Sequence, residues 1–266
     1  MKKKKIMQVN ILNKIDEFTD KRDILIREKI IVEKPDFITI QEGNLNRVEK
    51  IIENTDYKIA SFSRSEESVL TRKNYFVRSK YQPKREDKKF TISVIETECH
   101  NFAITSIHQP WGSGKESLRV QSILEIEQAV KSFASIEPFR IDENGDEGNK
   151  IIGILGGDFN AEYLADSMQF LFGNRVIDGN STLYRDAFEL NSSEENSTVS
   201  LKNKFARSTA NENGLNGWLP ERRIDYILSR GWAYGRPGAF SSYKIIGNEK
   251  NKEFSDHYGI VAEFEC

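Results

Sequence analysis

The sequence predicts an α/β fold of four layers, with two β-sheets packed face to face and helices on their outer faces. Two observations support it. Short β-rich segments fall into two groups along the chain, and each group has its own segments of helical periodicity. Each half therefore has an apolar sheet face to bury, and packing sheet on sheet with the helices outside satisfies both halves.

The first half begins as strand, helix, strand and helix, over residues 6–12, 19–33, 37–40 and 45–52. The first helix carries Ile24, Leu25, Ile30 and Ile31 at helical spacing. A β meander follows, because short alternating segments separated by charged turns occur at 57–61, 68–71, 75–79, 90–97 and 101–107.

The second half has a helix over 117–133 and strands at 151–155 and 260–264. Its first strand is continuously apolar, as in strands buried on both faces. We expect residues 191–219, rich in Asn, Ser and Glu, to form a long irregular loop. The composition has no break, so one domain over 1–266 is expected.

Charge sets limits on partners. The chain has 39 Lys and Arg against 41 Asp and Glu, a formal net charge of −2. It lacks the overall basic excess of proteins that coat nucleic acid. A basic cluster runs from Arg72 to Lys89, and it is either a solvated hairpin or a surface that steers phosphates.

The cysteine pattern and hydropathy bear on location. Cys99 and Cys266 are far apart and have no metal-binding spacing, which predicts neither a disulfide nor a thiolate metal site. Residues 6–12 are too short and polar for the apolar part of a signal peptide, and no apolar run is long enough to span a bilayer. We therefore expect a cytoplasmic protein.

Polar residues stand at the ends of several predicted strands. Asp158 and Asn160 follow an apolar strand at alternate positions, so their side chains share one face. Asp225 lies within a short β-rich run, where a carboxylate needs a partner. His257, ahead of the last strand, is the natural one.

Three more strands end in Asn10, Glu42 and His108. Taken singly, Glu42 is equally an acid at a helix start, and His108 a packed turn histidine. Together the strand ends supply hard oxygen ligands suited to Mg²⁺ or Mn²⁺.

The ordered set resembles the endonuclease/exonuclease/phosphatase superfamily in Asn10, Gln41-Glu42, His108, Gly157-Asp158-Phe159-Asn160, Arg223-Ile224-Asp225-Tyr226 and Ser255-Asp256-His257. The likeness spans nearly the whole chain. It implies a deoxyribonuclease I-like αββα sandwich and a divalent-metal-dependent hydrolase of phosphate esters.

The resemblance also implies a role for each residue. Glu42 is the main Mg²⁺ or Mn²⁺ ligand, with Asn10 and Asp256 near the same or a second ion. Asp158 orients or deprotonates the attacking water, and Asn160 holds the substrate phosphate.

The same resemblance makes His108 and His257 the donors to the phosphate oxygens. Asp225 orients His257, and an acid at Glu66 or Glu67 orients His108.

The expected function is that of a phosphodiesterase or nuclease, in which a metal assists water attack on a P–O bond. One alternative is a phosphatase or phosphodiesterase that acts on a small molecule or a lipid headgroup. Another is a non-catalytic binding module. Candidate substrate-binding residues are Arg72, Trp111, Arg119 and Trp218. The expected partner is a phosphate-ester substrate, with nucleic acid one candidate, and we expect a monomer without an obligate protein partner.

Overall fold

The structure is a computed structural model that describes residues 2–83, 89–133, 151–190, 196–214, 221–230 and 237–266. The strands of its first half are β1 (Lys3–Asn10), β2 (Phe37–Gln41), β3 (Tyr57–Phe62), β4 (Ser68–Arg72), β5 (Phe76–Tyr81), β6 (Phe90–Glu96) and β7 (Asn101–His108). Those of its second half are β8 (Ile151–Asp158), β9 (Arg185–Asp186), β10 (Asp225–Ser229), β11 (Phe240–Ile246) and β12 (Gly259–Glu265). The helices are α1 (Thr19–Glu33), α2 (Leu45–Ile52), α3 (Glu116–Phe133), α4 (Asp166–Leu171) and α5 (Lys204–Glu212).

The strands form two six-stranded sheets. The first has the order β11-β12-β1-β2-β4-β3, and the second has the order β5-β6-β7-β8-β10-β9. Within them β1 pairs parallel with β2, and β7 pairs parallel with β8. Because Asn10 at the end of β1 also contacts Asp158 at the end of β8, the carboxyl ends of these four strands lie along one edge of the sandwich, which we call the site end.

Three apolar layers fix the order of sheets and helices. Side chains such as Phe37, Ile104 and Phe264 fill the space between the sheets. A second cluster lies between the first sheet and the helices α1 and α2, and a third between the second sheet and the helices α3 and α4. The predicted four-layer sandwich is confirmed.

The layer between the sheets changes from apolar to polar toward the site end. Its buried polar side chains there are Gln8, Asn10, Thr39, Gln41, Ser106, His108, Asp158 and Asp225. The sheets approach closely at this end, since a Cβ on Gly156 would lie 2.6 Å from Oγ1 of Thr39. The strand thus needs glycine at this position to reach Asp158.

The opposite end carries a covalent link that corrects the sequence prediction. Cys99, in the turn between β6 and β7, forms a disulfide with Cys266, and their Cα atoms lie 5.8 Å apart. The two residues are 167 positions apart. No spacing motif could signal the pair, because only the face-to-face packing of the sheets brings the end of β12 to that turn.

Two local predictions also differ from the structure. Part of the expected loop over 191–219 is α5, which Asn203 begins by accepting hydrogen bonds from the N–H groups of Phe205 and Ala206. In α1, Ile24 and Ile31 are exposed, and Ile26 and Ile30 are the isoleucines that pack on the sheet. The helical assignment of α1 was right, and Ile30 and Leu25 pack inward as expected, but Ile24 and Ile31 do not. Within the described residues, none of the helices is long and apolar enough to cross a membrane.

Candidate active site

Strand pairing brings the predicted side chains together. In the second sheet, His108 and Asp225 are both register partners of Asp158, on either side of it. In the first sheet, Asn10 pairs with Gln41, the residue before Glu42. Because the two sheets face each other at the site end, residues from five strands and from adjoining loops meet in one cluster.

Asp158 lies at the centre of this cluster. Its Oδ2 is 3.8 Å from Nε2 of both His108 and His257. The same oxygen accepts from the side-chain amides of Asn10 at 3.3 Å and Asn160 at 3.2 Å. Burial is the main cause that raises the pKa of Asp158 to about 7, with the Asp225 carboxylate adding to it.

Glu42 enters the cluster from a left-handed backbone position, with φ of 60°. Its Oε1 accepts from Nδ2 of Asn10 at 3.0 Å, and its Oε2 accepts from the N–H of Asn13 at 3.1 Å. Oδ1 of Asn10 accepts from the N–H of Leu12 at 3.0 Å. In this arrangement Asn10 orients two carboxylates by donating to them, and its oxygen is already engaged.

His257 and Asp225 form a charged pair. Nδ1 of His257 is 2.8 Å from Oδ2 of Asp225, which is fully buried. Burial alone lowers the pKa of His257, but the Asp225 and Asp158 carboxylates outweigh it and raise this pKa well above its ordinary value. An imidazolium held on Nδ1 presents the N–H of Nε2 to the cluster.

His108 and Glu67 form a neutral pair, in contrast to His257 and Asp225. Nδ1 of His108 is 3.8 Å from Oε1 of Glu67. Burial lowers the pKa of His108 to about 4, and burial raises the pKa of Glu67 to about 7. Near pH 6 this pair is a neutral imidazole beside a neutral carboxyl. Of the two predicted acids, Glu67 is the one that faces His108.

Asp256 lies next to this cluster. Its two oxygens accept from the hydroxyls of Thr209 and Ser255, each at 3.1 Å. Burial raises the pKa of Asp256, and the Glu42 carboxylate adds to this. Through this hydrogen bond from Thr209, α5 contacts the site.

The donor set suits a divalent cation. Ligand atoms of Glu42, His108 and Asp158 lie within 4.8 Å of one another, and so do those of Asp158, Asp225 and His257. With Asp256, four carboxyl groups surround two imidazoles, of which His257 alone is held charged. Buried acids in such excess need a cation to remain ionised, so the residues fit Mg²⁺ or Mn²⁺.

Asn160 is beside Asp158, as its position in the sequence predicted. Its backbone N–H donates to Oδ1 of Asp158 at 2.8 Å, and its side-chain amide also donates to the carbonyl of Gln109 at 2.9 Å. Its φ is 48°, a left-handed backbone position like that of Glu42. In this structure the backbone N–H and the side-chain amide of Asn160 each donate to Asp158 and keep it in place.

Two of the predicted substrate-binding residues act on one loop after His108. The Arg119 guanidinium is buried, and its Nη1 donates to the carbonyls of Pro110 at 2.7 Å and Gly112 at 3.0 Å. Trp111, between these two residues, is 75% exposed. Arg119 thus braces the loop that presents Trp111 to solvent near the site.

Of the other two predicted substrate-binding residues, Arg72 does not join the cluster. Arg72 ends β4 at the pole opposite the site, where its guanidinium contacts the Asp36 carboxylate and the Lys34 carbonyl. That position excludes Arg72 from this site. Trp218 lies outside the described residues, as do residues 84–88 of the basic cluster.

Two residues near the site, Gln8 and Thr209, were not singled out from the sequence, and a third, Lys89, was named only as the end of the basic cluster. Gln8 donates to Asp225, and Thr209 donates to Asp256. The carbonyl of Lys89 accepts from the N–H of His108 at 2.9 Å, and its ammonium lowers the pKa of both Glu67 and His108. A signal existed for Gln8, which shares the inward face of β1 with Asn10, whereas Thr209 is found only once α5 is folded.

Solved structures match the whole chain. D. rerio TDP2 complexed with a single-strand DNA product superposes with a TM-score of 0.71 at 17% identity, over 99% of each chain. The chain has the endonuclease/exonuclease/phosphatase fold. A Bacteroides vulgatus protein described by that name matches with a TM-score of 0.69 at 17% identity, over 100% of this chain and 99% of that one. Bacteroides thetaiotaomicron mannosyl-6-phosphatase matches with a TM-score of 0.69 at 14% identity, over 98% of this chain and 99% of that one.

No protein-family model matches the sequence, and no curated protein sequence matches it. The resemblance inferred from the strand ends is nevertheless confirmed at the level of the endonuclease/exonuclease/phosphatase fold. At these identities the likeness establishes the fold, and the roles of residues depend on the contacts described above.

Proposed function

We propose that this chain is a Mg²⁺- or Mn²⁺-dependent hydrolase of phosphate esters, with phosphodiesters as its main substrates. The convergence of Glu42, His108, Asp158 and His257 around one buried point carries this proposal. Carboxylates and imidazoles on rigid strand ends, preorganised around one point, are what phosphoryl transfer requires, because its catalysis is mostly positioning and charge stabilisation.

Each group has a task in this reaction. Asp158, with a pKa of about 7, accepts a proton from water as the water oxygen bonds to phosphorus and the P–O bond to the leaving group breaks. His257, held as an imidazolium by Asp225, donates from Nε2 to a phosphate oxygen. His108 lies across Asp158 from it and contacts the phosphate from the other side.

A divalent cation would be held by Glu42 together with the neighbouring carboxylate of Asp256, which leaves Asp158 to act on the water. When bound, it supplies charge neutralisation for the substrate phosphate. Asn10 contributes by orienting Glu42 and Asp158, in keeping with its two donated hydrogen bonds.

Among phosphodiesters, we favour nucleic acid as the substrate. Trp111 offers an exposed ring on a braced loop for stacking on a base, and Lys89 places a positive charge beside His108. The single-strand DNA product bound to D. rerio TDP2 is consistent with this substrate class on the same fold.

A second candidate is a phosphatase or phosphodiesterase that acts on a small molecule or lipid headgroup. The formal net charge of −2 favours it over duplex binding. The likeness to a mannosyl-6-phosphatase shows that this fold also carries that activity.

The test is a hydrolysis screen in Mn²⁺ with single-stranded, nicked and duplex DNA, RNA, bis-p-nitrophenyl phosphate and p-nitrophenyl phosphate. We expect activity that EDTA abolishes and added Mn²⁺ restores. A high ratio of diester to monoester turnover supports the nuclease, and the reverse ratio supports the phosphatase. Absence of turnover on every substrate, or full activity in His257→Ala, refutes the enzyme assignment.

Three further proposals concern the whole molecule. Residues 1–266 act as one domain, since both sheets contribute to the site, and the protein works as a monomer. A cytoplasmic location stays a prediction. The Cys99–Cys266 disulfide removes the support that the cysteine pattern gave it, because disulfides are rare in reducing compartments.

A further inference from the structure

Gln8 connects the two sheets directly beneath the proposed site. It lies two residues before Asn10 on the inward face of β1, and it is fully buried. Its Nε2 is 2.9 Å from Oε1 of Gln41 on the same sheet and 2.9 Å from Oδ1 of Asp225 on the opposite sheet. One amide thus contacts two acceptors across the interface.

The direction of these hydrogen bonds follows from the last acceptor in the chain, the backbone carbonyl of Ile40. The carbonyl of Ile40 can only accept, so the hydroxyl of Ser106 donates to it at 2.9 Å. The Ser106 oxygen then accepts from Nε2 of Gln41 at 3.0 Å. This places Oε1 of Gln41 toward Gln8, and therefore both N–H groups of Gln8 face acceptors.

Gln8 completes the contacts of the Asp225 carboxylate. Oδ2 of Asp225 is 2.8 Å from Nδ1 of His257, and Oδ1 accepts from Gln8. A carboxylate held at one oxygen can rotate about its χ2 bond, whereas two held oxygens leave a single orientation. The backbone is fixed as well, because the N–H of Asp225 donates to Oγ1 of Thr198 at 3.2 Å.

The orientation of the Gln8 amide has a cost. Its Oε1 is buried and has no hydrogen-bond partner among the described residues. Buried carbonyls without partners are uncommon in folded proteins and call for an explanation. Here the explanation is that the opposite side of the amide must supply two donors.

We propose that Gln8 is a positioning residue, which holds Asp225 so that its second oxygen aligns His257 with the substrate phosphate. The catalytic part of this inference rests on the proposed function. The contact between Gln8 and Asp225 does not depend on that function.

The kinetic test uses Gln8→Met, which keeps the volume and removes both donors. We expect kcat to fall about 10- to 100-fold, the range for losing a hydrogen bond to a charged group. KM should stay within about twofold, because Gln8 does not contact substrate. Ser106→Ala is the matched control, since it removes the far end of the chain of hydrogen bonds, whereas the Asp225 carboxylate, which can only accept, still holds the Gln8 amide. Its kcat should stay near that of the wild type.

A double-mutant cycle separates positioning from general destabilisation. In an Asp225→Asn background, Gln8→Met should cost no further activity, because the group it acts through is already altered. An equal loss in both backgrounds, or wild-type kcat in Gln8→Met, overturns the proposal. If Gln8→Met does not fold, Gln8→Asn serves in its place, since its shorter amide cannot reach both acceptors.

A second readout needs no substrate. The chain has three histidines, so the Nδ1–H proton of His257 can be assigned by NMR from its change in Asp225→Asn. We expect this resonance to shift upfield in Gln8→Met, and an unchanged resonance overturns the proposal. If the wild type hydrolyses nothing, the proposed function fails while this measurement still decides the role of Gln8.

Discussion

Replacing Glu67 with glutamine tests whether the buried pair at His108 is neutral. The Glu67 carboxyl is fully buried, and its Oε1 has no hydrogen-bond partner among the described residues. Its Oε2 accepts from the hydroxyls of Ser63 and Ser65. A glutamine can keep these bonds through its oxygen and direct its amide N–H groups toward Nδ1 of His108.

The expected stability change follows from linkage. Burial raises the pKa of Glu67 from 4.5 to about 7. Below pH 4.5 the carboxyl is protonated in both folded and unfolded chains, and it contributes nothing. Between pH 4.5 and 7 the unfolded chain releases the proton first, so the folded state loses stability as pH rises. Above pH 7 the full penalty applies, on the order of 3 kcal/mol.

Glu67→Gln removes this penalty. In EDTA, the variant should match the wild type near pH 4.5 and unfold about 5 °C higher at pH 8.5, a shift scaled from the entropy of unfolding of a chain this long. Circular dichroism melts at the two pH values measure it. Phosphodiesterase activity at pH 6 should survive, because the amide, like the neutral carboxyl, places no charge beside Nδ1 of His108. A gain that is equal at both pH values, or a loss at pH 8.5, refutes the reasoning.

Three other predictions follow from the same contacts. Asp225→Asn should lower the pKa of His257, because the carboxylate stabilises the imidazolium; an NMR titration of the metal-free protein checks this, and an unchanged pKa contradicts the ion pair. Asp158→Asn should lower kcat by about 10²- to 10⁴-fold, as expected for loss of a general base, with the circular dichroism spectrum retained; unaltered turnover excludes Asp158 as the base. Reduction of the disulfide should lower the free energy of unfolding by at most about 5 kcal/mol, estimated from the length of chain it closes. Urea titration with and without dithiothreitol measures this, and Cys99→Ser, which should not respond to the reductant, is the control.

The sequence predicted the fold and the identity of the cluster for one reason. Polar residues such as Asp158 and His108 directly follow apolar strands, and parallel pairing places such strand ends together. That information is local, and the layered topology turns it into a site. The family resemblance, not the strand ends, pointed to Glu66 or Glu67, and only the fold could show which of the two faces His108.

What the sequence did not predict depends on packing between distant segments. The Cys99–Cys266 disulfide needs both sheets in place, and α5 needs its apolar residues to meet the loop after β1, where Phe18 packs on Phe205. Arg119 has the charge expected of a phosphate ligand. Its commitment to the carbonyls of Pro110 and Gly112 appears only once the loop is built.

The two histidines of the site have different protonation states, and in each case the balance between burial and the nearest carboxyl group decides the state. His257 lies against Asp225, whose second oxygen Gln8 holds, and the imidazolium is favoured despite burial. His108 has a looser contact with Glu67, and burial dominates there, so both groups become neutral. Asp158 lies between them, 3.8 Å from each Nε2. A phosphate in this gap would thus meet a charged donor on one side and a neutral one on the other. This asymmetry predicts unequal losses on removing each imidazole, with His257→Ala costing more activity than His108→Ala.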